Sequence, residues 1–163
     1  MKITFIQTGG TIDKDYPRST KGYAFEITEP AVDRILKVLD PVFDYEVVPY
    51  IKKDSMDITN EDRTTLMGAC ASLENDLIII THGTDTLLET AGTLSGVGGG
   101  KVIILCGAMK PERFKDSDAA VNIGVAIGAV QSLPPGVYIA MNGQVFPWHE
   151  MKRDMTSGKF IQK

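Results

Sequence analysis

Five short apolar runs divide a chain that is otherwise mixed in polarity: residues 3–6 (ITFI), 45–51 (YEVVPYI), 77–81 (LIIIT), 102–106 (VIILC) and 137–141 (VYIAM). Each is of strand length. Most are rich in β-branched residues and show little polar alternation, the pattern of strands buried on both faces of a parallel sheet. Pro49 predicts that the second run ends early or lies near an edge. Helical spacing fills the intervals. Residues 30–39 (PAVDRILKVL) place Pro30 in a first turn. Residues 59–73 open on TNED, with Thr59 or Asn60 as cap and acids where the helix dipole favours them. Residues 84–94 and 117–130 follow the third and fourth runs, and Gly124 and Gly128 suggest that the last helix packs closely on the sheet. Strand and helix alternate throughout. The predicted fold is therefore α/β: a doubly wound, mostly parallel open sheet of about five strands, Rossmann-like, in a single domain over 1–163. The connection 13–29 has no clear period and is long for an idle loop, so a lid is one reading of it.

In such sheets ligands bind beyond the carboxyl ends of the strands. Every apolar run here leads directly into a polar or glycine-rich turn: Thr8-Gly9-Gly10-Thr11, Asp54-Ser55-Met56-Asp57, His82-Gly83-Thr84-Asp85-Thr86, Gly107-Ala108-Met109-Lys110-Pro111 and Met141-Asn142-Gly143. Hydroxyls, an acid and close backbone approaches thus share one rim. The TGGTI segment reads equally well as a tight turn and as a site in which Thr11 stands beside exposed N–H donors. In HGTDT, Thr84 or Asp85 either caps a helix or sits where the dipole favours a developing negative charge. His82 is a weak general-base candidate, since a histidine at a strand end more often serves as a structural hydrogen-bonder. Trp148 and His149 are read as core or interface.

Composition narrows the chemistry. The chain has 163 residues, one ordinary domain, with 43% apolar and 23% charged residues. Its formal charge of −4 and lack of a basic stripe argue against a nucleic-acid partner. Cys70 and Cys106 lie inside apolar stretches and read as buried thiols of a reducing compartment, so cytoplasmic residence is expected. The N-terminal apolar run stops at Gln7, too short for a signal segment or a membrane span. With two histidines and no CxxC or HExxH spacing, neither a metal nor a cofactor is expected. The chain lacks GxGxxG, the P-loop and GxSxG, which sets aside dinucleotide, nucleotide and Ser-His-Asp readings.

TGGTI and HGTDT together resemble the bacterial-type L-asparaginase family. The likeness extends through Gly107-Ala108-Met109-Lys110-Pro111, similar to that family's GAMRP, and on to 137–142. The order and spacing are those of its amino-terminal catalytic domain, so the chain looks like a short, single-domain version. The resemblance implies hydrolysis of L-asparagine to L-aspartate and ammonia by double displacement through an acyl-enzyme. Thr11 matches the nucleophile, and Tyr23, ahead of Tyr16, the loop tyrosine that assists it. Thr84 and Asp85 match the second hydroxyl and the acid that holds the substrate ammonium, and Ser55 the binder of its carboxylate. Backbone at Gly10, Gly83 and Ala108 would line the pocket.

Two positions depart from the family pattern. An ungapped match sets Arg153 where the family has its catalytic lysine. Arginine does not deprotonate near neutral pH, so a one-residue shift that restores Lys152 is expected. Met56 stands where a polar glutamine belongs. The resemblance also implies a homodimer or higher homo-oligomer completing an open site around a small-molecule substrate. Arg153 keeps a second reading open, an asparagine- or aspartate-binding sensor with weak or no turnover. A third is an enzyme for glutamine or another amide.

Overall fold

The structure is a computed structural model, and it describes residues 1–16 and 25–163. All five expected strands are present: β1 (Lys2–Gly9), β4 (Asp44–Lys53), β5 (Leu77–Thr81), β6 (Val102–Cys106) and β7 (Gly136–Met141). They run parallel in the order β4-β1-β5-β6-β7. A sixth strand, β8 (Gln144–Pro147), closes the far edge antiparallel to β7. The sequence carried its signal. Asn142 and Gly143 both have positive φ, 53° and 77°, and join Met141 to Gln144 as a two-residue hairpin loop, the turn that Asn-Gly favours. Pro49 lies in the edge strand β4, where a missing N–H is tolerated. The ladder to β1 shifts register just beyond it, bringing Gly9 opposite Lys53. Among the described residues two small antiparallel pairs stand apart from this sheet: β2 (Lys14–Asp15) with β3 (Glu26–Ile27), and β9 (Met151–Arg153) with β10 (Phe160–Gln162).

Among the described residues four α-helices cover the sheet: α1 (Ala31–Leu39), α2 (Asn60–Ser72), α3 (Leu87–Leu94) and α4 (Ala119–Val130). Successive side chains of a strand point to opposite faces, so each central strand feeds two cores. Ile79, Ile104 and Ala140 pack with Val32 and Leu36 of α1 and Ile123 and Ala126 of α4. Ile78, Ile80, Ile103 and Ile139 pack with Leu66 of α2 and Leu87 and Ala91 of α3. Cys106 belongs to the first core and Cys70 to the second, so the sheet separates the two free thiols. Burial pushes both thiols up to about 12.

Helix starts follow the chemistry of the caps. Thr59 and Asp62 form a reciprocal capping box on α2. Asp40 ends α1 in the left-handed conformation, its N–H on the Leu36 carbonyl. Two helices begin later than the spacing predicts, α3 at Leu87 rather than 84 and α4 at Ala119 rather than 117. The carboxylate of Asp118 makes no cap bond to the backbone of its own helix and accepts instead from the Met109 and Lys110 N–H groups and from the Asn122 side chain. Gly124 and Gly128 do not approach the sheet: both lie on the outer face of α4, where an added Cβ meets nothing within 4 Å. Ala119, Ile123, Ala126 and Ile127 make the contact instead.

Candidate functional site

The winding reverses between β1 and β5. From β1 the chain crosses through α1 to β4 on one side, then returns through α2 to β5 on the other. A crevice opens outside the carboxyl ends at such a switch point. The turns after β1, β4, β5 and β6 meet there.

Their contact is so close that it requires glycine. Gly9 and Gly10 have φ of 100° and 82°, and Gly10 donates its N–H to the Lys53 carbonyl at 3.0 Å. A Cβ on Gly10 would lie 2.3 Å from the backbone of Gly83. One on Gly83 would lie 2.5 Å from Ser55 Oγ, and one on Gly107 2.3 Å from the His82 carbonyl. Neighbouring hydroxyls fasten the same loops. Thr8 Oγ1 donates to the Thr81 carbonyl at 2.8 Å, and Thr86 Oγ1 to the Ser55 carbonyl at 2.7 Å. Asp118 and Asn122, one turn apart at the start of α4, hold the Gly107–Lys110 backbone through the N–H groups of Met109 and Lys110 and the carbonyl of Gly107.

Each residue expected at the site and described by the structure has a definite place. Thr11 is half-buried at the start of the short 3-10 turn Thr11–Asp13, directly after Gly10. Thr84 directly follows Gly83 and is buried, as are Ser55 and Ala108. Asp85 reaches the surface and accepts from Arg153 Nη1 at 2.5 Å. Lys152, expected as the lysine of this set, is exposed on the other face of β9, because adjacent strand residues alternate and Arg153 takes the inward place. Met56 is 70% exposed. Tyr23 lies outside the described residues; Tyr16 is exposed and packs its ring near Phe25. Trp148 covers the α3 surface at Gly92.

His82 faces inward. Arg63 Nε donates to Thr90 Oγ1 at 3.1 Å, which leaves the threonine hydrogen for His82 Nε2 at 2.8 Å. The Gly83 carbonyl can only accept, so the proton of the neutral ring sits on Nδ1, 2.8 Å away. Burial, with Arg63 nearby, takes the imidazole down to about 4. Both ring nitrogens are thus occupied, Nδ1 on the Gly83 carbonyl and Nε2 on the Thr90 hydroxyl, and the ring is not free to act as a base. This chain of donors escapes sequence reading because Arg63 and Thr90 sit on two different helices. Asn122, a lone polar residue in the apolar run AAVNIGVAIGAV, carried a signal that went unused.

A family model described as "Asparaginase, N-terminal" matches residues 2–158. The chain belongs to the asparaginase family. It is 30% identical over 171 residues to the glutaminase-asparaginase of Acinetobacter glutaminasificans, an alignment covering 96% of this chain and 49% of that protein. It is also 31% identical over 150 residues to the L-asparaginase of Thermococcus kodakarensis, covering 89% of this chain and 45% of that one. A glutamyl-tRNA(Gln) amidotransferase polypeptide of Methanococcus maripaludis is likewise 31% identical, over 87% of this chain and 35% of its own length. Among solved structures, the thermostable L-asparaginase of Thermococcus kodakarensis superposes with a TM-score of 0.87 at 28% identity, covering 99% of this chain and 51% of that one. The chain therefore spans about half or less of the length of these relatives. Among the described residues no helix is long and apolar enough to cross a membrane.

Proposed function

We propose that this chain is an amidohydrolase that converts L-asparagine to L-aspartate and ammonia in the cytoplasm. The observation that carries the reading is the contact of Gly10, Gly83 and Ser55 at the switch point, which sets the Thr11 turn against the Thr84-Asp85 turn. Thr11 Oγ1 attacks the side-chain amide carbon. The C–N bond breaks, ammonia leaves with a proton, and water then hydrolyses the ester to free Thr11. Ser55 takes the substrate carboxylate, Asp85 its ammonium, and Thr84 orients the water. Tyr23 assists the nucleophile, and a homodimer or larger assembly of this chain completes the pocket.

The experiment is ammonia release from a panel of amides. Thr11→Ala and Thr84→Ala should each lower turnover of asparagine by orders of magnitude with the fold retained by circular dichroism. Unchanged release by Thr11→Ala would remove its role. The Arg153–Asp85 ion pair supports a second reading, an asparagine- or aspartate-binding module with weak turnover, because a guanidinium cannot accept a proton from Thr84. Calorimetry showing asparagine bound without ammonia release would select it.

A further inference from the structure

We infer that Arg63 is a positioning residue for the Thr84-Asp85 turn, acting through Thr90 and His82 to fix the plane of the peptide that joins Gly83 to Thr84. Its burial leads there. Arg63 lies on α2, three residues before the core residue Leu66, and its side chain is 6% exposed. A charge is costly to bury, and an apolar side chain of similar volume fills such a place at least as well. The guanidinium meets three acceptors. Nη1 donates to Asn60 Oδ1 at 3.2 Å, Nη2 to Glu89 Oε2 at 3.1 Å and Nε to Thr90 Oγ1 at 3.1 Å. Asn60 and Glu89 are exposed and Thr90 is wholly buried, so the Nε bond is the one that water cannot replace.

Arginine donates and never accepts, and that sets a direction. Thr90 Oγ1 engages one lone pair on Nε and turns its hydrogen to His82 Nε2, 2.8 Å away. Nε2 then accepts, and the ring proton lies on Nδ1, 2.8 Å from the Gly83 carbonyl. That carbonyl cannot donate, so both ends of the array require the same tautomer. Burial, with the Arg63 charge nearby, keeps the ring neutral. The His82 backbone is anchored as well, its N–H on the Cys106 carbonyl of β6 at 2.9 Å. Gly83 has no side chain to restrict the peptide that follows it, and the bond from Nδ1 supplies the restriction. The peptide is trans, so a carbonyl drawn to the ring sends the Thr84 N–H the opposite way. Without the Nε donor, the Thr90 hydrogen is free to turn to the Thr86 carbonyl one helical turn back, and the ring proton is free to change nitrogens.

The catalytic consequence rests on the proposed role of Thr84; the tautomer does not. His149→Gln leaves His82 as the sole histidine. With isotope-labelled ring nitrogens in that background, the resonances at neutral pH should show a protonated Nδ1 and a bare Nε2. In Arg63→Met the two resonances should move towards each other as the tautomers mix, whereas Thr90→Ser, which keeps the hydroxyl, should hold them apart. Arg63→Met strands no buried partner, since Asn60 and Glu89 face solvent. Its urea midpoint should therefore hold or rise while kcat for asparagine falls about 10- to 100-fold and KM changes far less. A proton on Nε2 before Arg63 is touched overturns the inference. So does Arg63→Met with an unchanged ring signature, or with a loss of kcat that only follows a fall in midpoint. A chain that releases no ammonia at all fails the amidohydrolase reading, and the nitrogen resonances then decide the role of Arg63 by themselves.

Discussion

Replacing Gly10 and Gly124 by alanine should move stability in opposite directions, although each substitution adds the same single methyl group. At Gly10 the backbone angles are 82° and −172°, a region open essentially to glycine alone, and holding alanine there costs about 1–3 kcal/mol. The methyl would also lie 2.3 Å from Gly83 backbone atoms, where carbon atoms rest at about 3.5–4.0 Å. The two turns must then part by about 1 Å or more, and overpacking of this kind costs about 1–3 kcal/mol more. The sum is about 2–6 kcal/mol, a large share of the ~5–15 kcal/mol that holds a domain together. Gly124 has ordinary helical geometry and open space around its Cβ, so alanine there should stabilise by about 0.5–1 kcal/mol through backbone entropy. Urea unfolding reads both. With a slope of ~1–3 kcal/mol/M, Gly10→Ala should lower the midpoint by roughly 1 M or more and Gly124→Ala should raise it by a few tenths. Ammonia release should vanish in the first and persist in the second. A Gly10→Ala protein within about 0.5 kcal/mol of wild type would refute the close approach of the two turns.

Thr90→Val keeps the shape of the side chain but strands Arg63 Nε and His82 Nε2, and should destabilise by about 2–4 kcal/mol in the same unfolding experiment. His82 is held down to about 4, so its contribution is full above its ordinary value of about 6.5 and is lost as pH falls from there towards 4. Arg153→Lys restores a cation able to shed a proton beside Asp85, and should raise kcat for asparagine by up to about 100-fold with little change in KM. An unchanged kcat would separate Arg153 from the chemistry. Cys70 and Cys106 should resist thiol reagents in the native protein and react only on unfolding, because both are buried and uncharged.

The linear pattern of the chain was enough for every parallel strand and for the winding of the helices. Strands buried on both faces need uninterrupted apolar runs, and each run here ended within a few residues of its strand. The rim was legible for the same reason: a buried parallel strand hands the chain to whatever turn follows it, so glycines and hydroxyls placed there had to share one edge. Asn142-Gly143 announced a hairpin, and local turn chemistry alone specified it. What depended on distance along the chain was hidden. Whether Arg153 or Lys152 meets Asp85 is settled by which face of β9 turns inward, and a one-residue register choice sends adjacent side chains to opposite sides. The outward position of Gly124 and Gly128 depended on the rotation of α4 about its axis, which packing sets. The role of His82 was decided by Arg63 and Thr90, and the bonds of Asp13 by Thr28 and Ala31. Hydrogen bonds of this kind are short in space and long in sequence, and only the folded sheet brings their ends within reach.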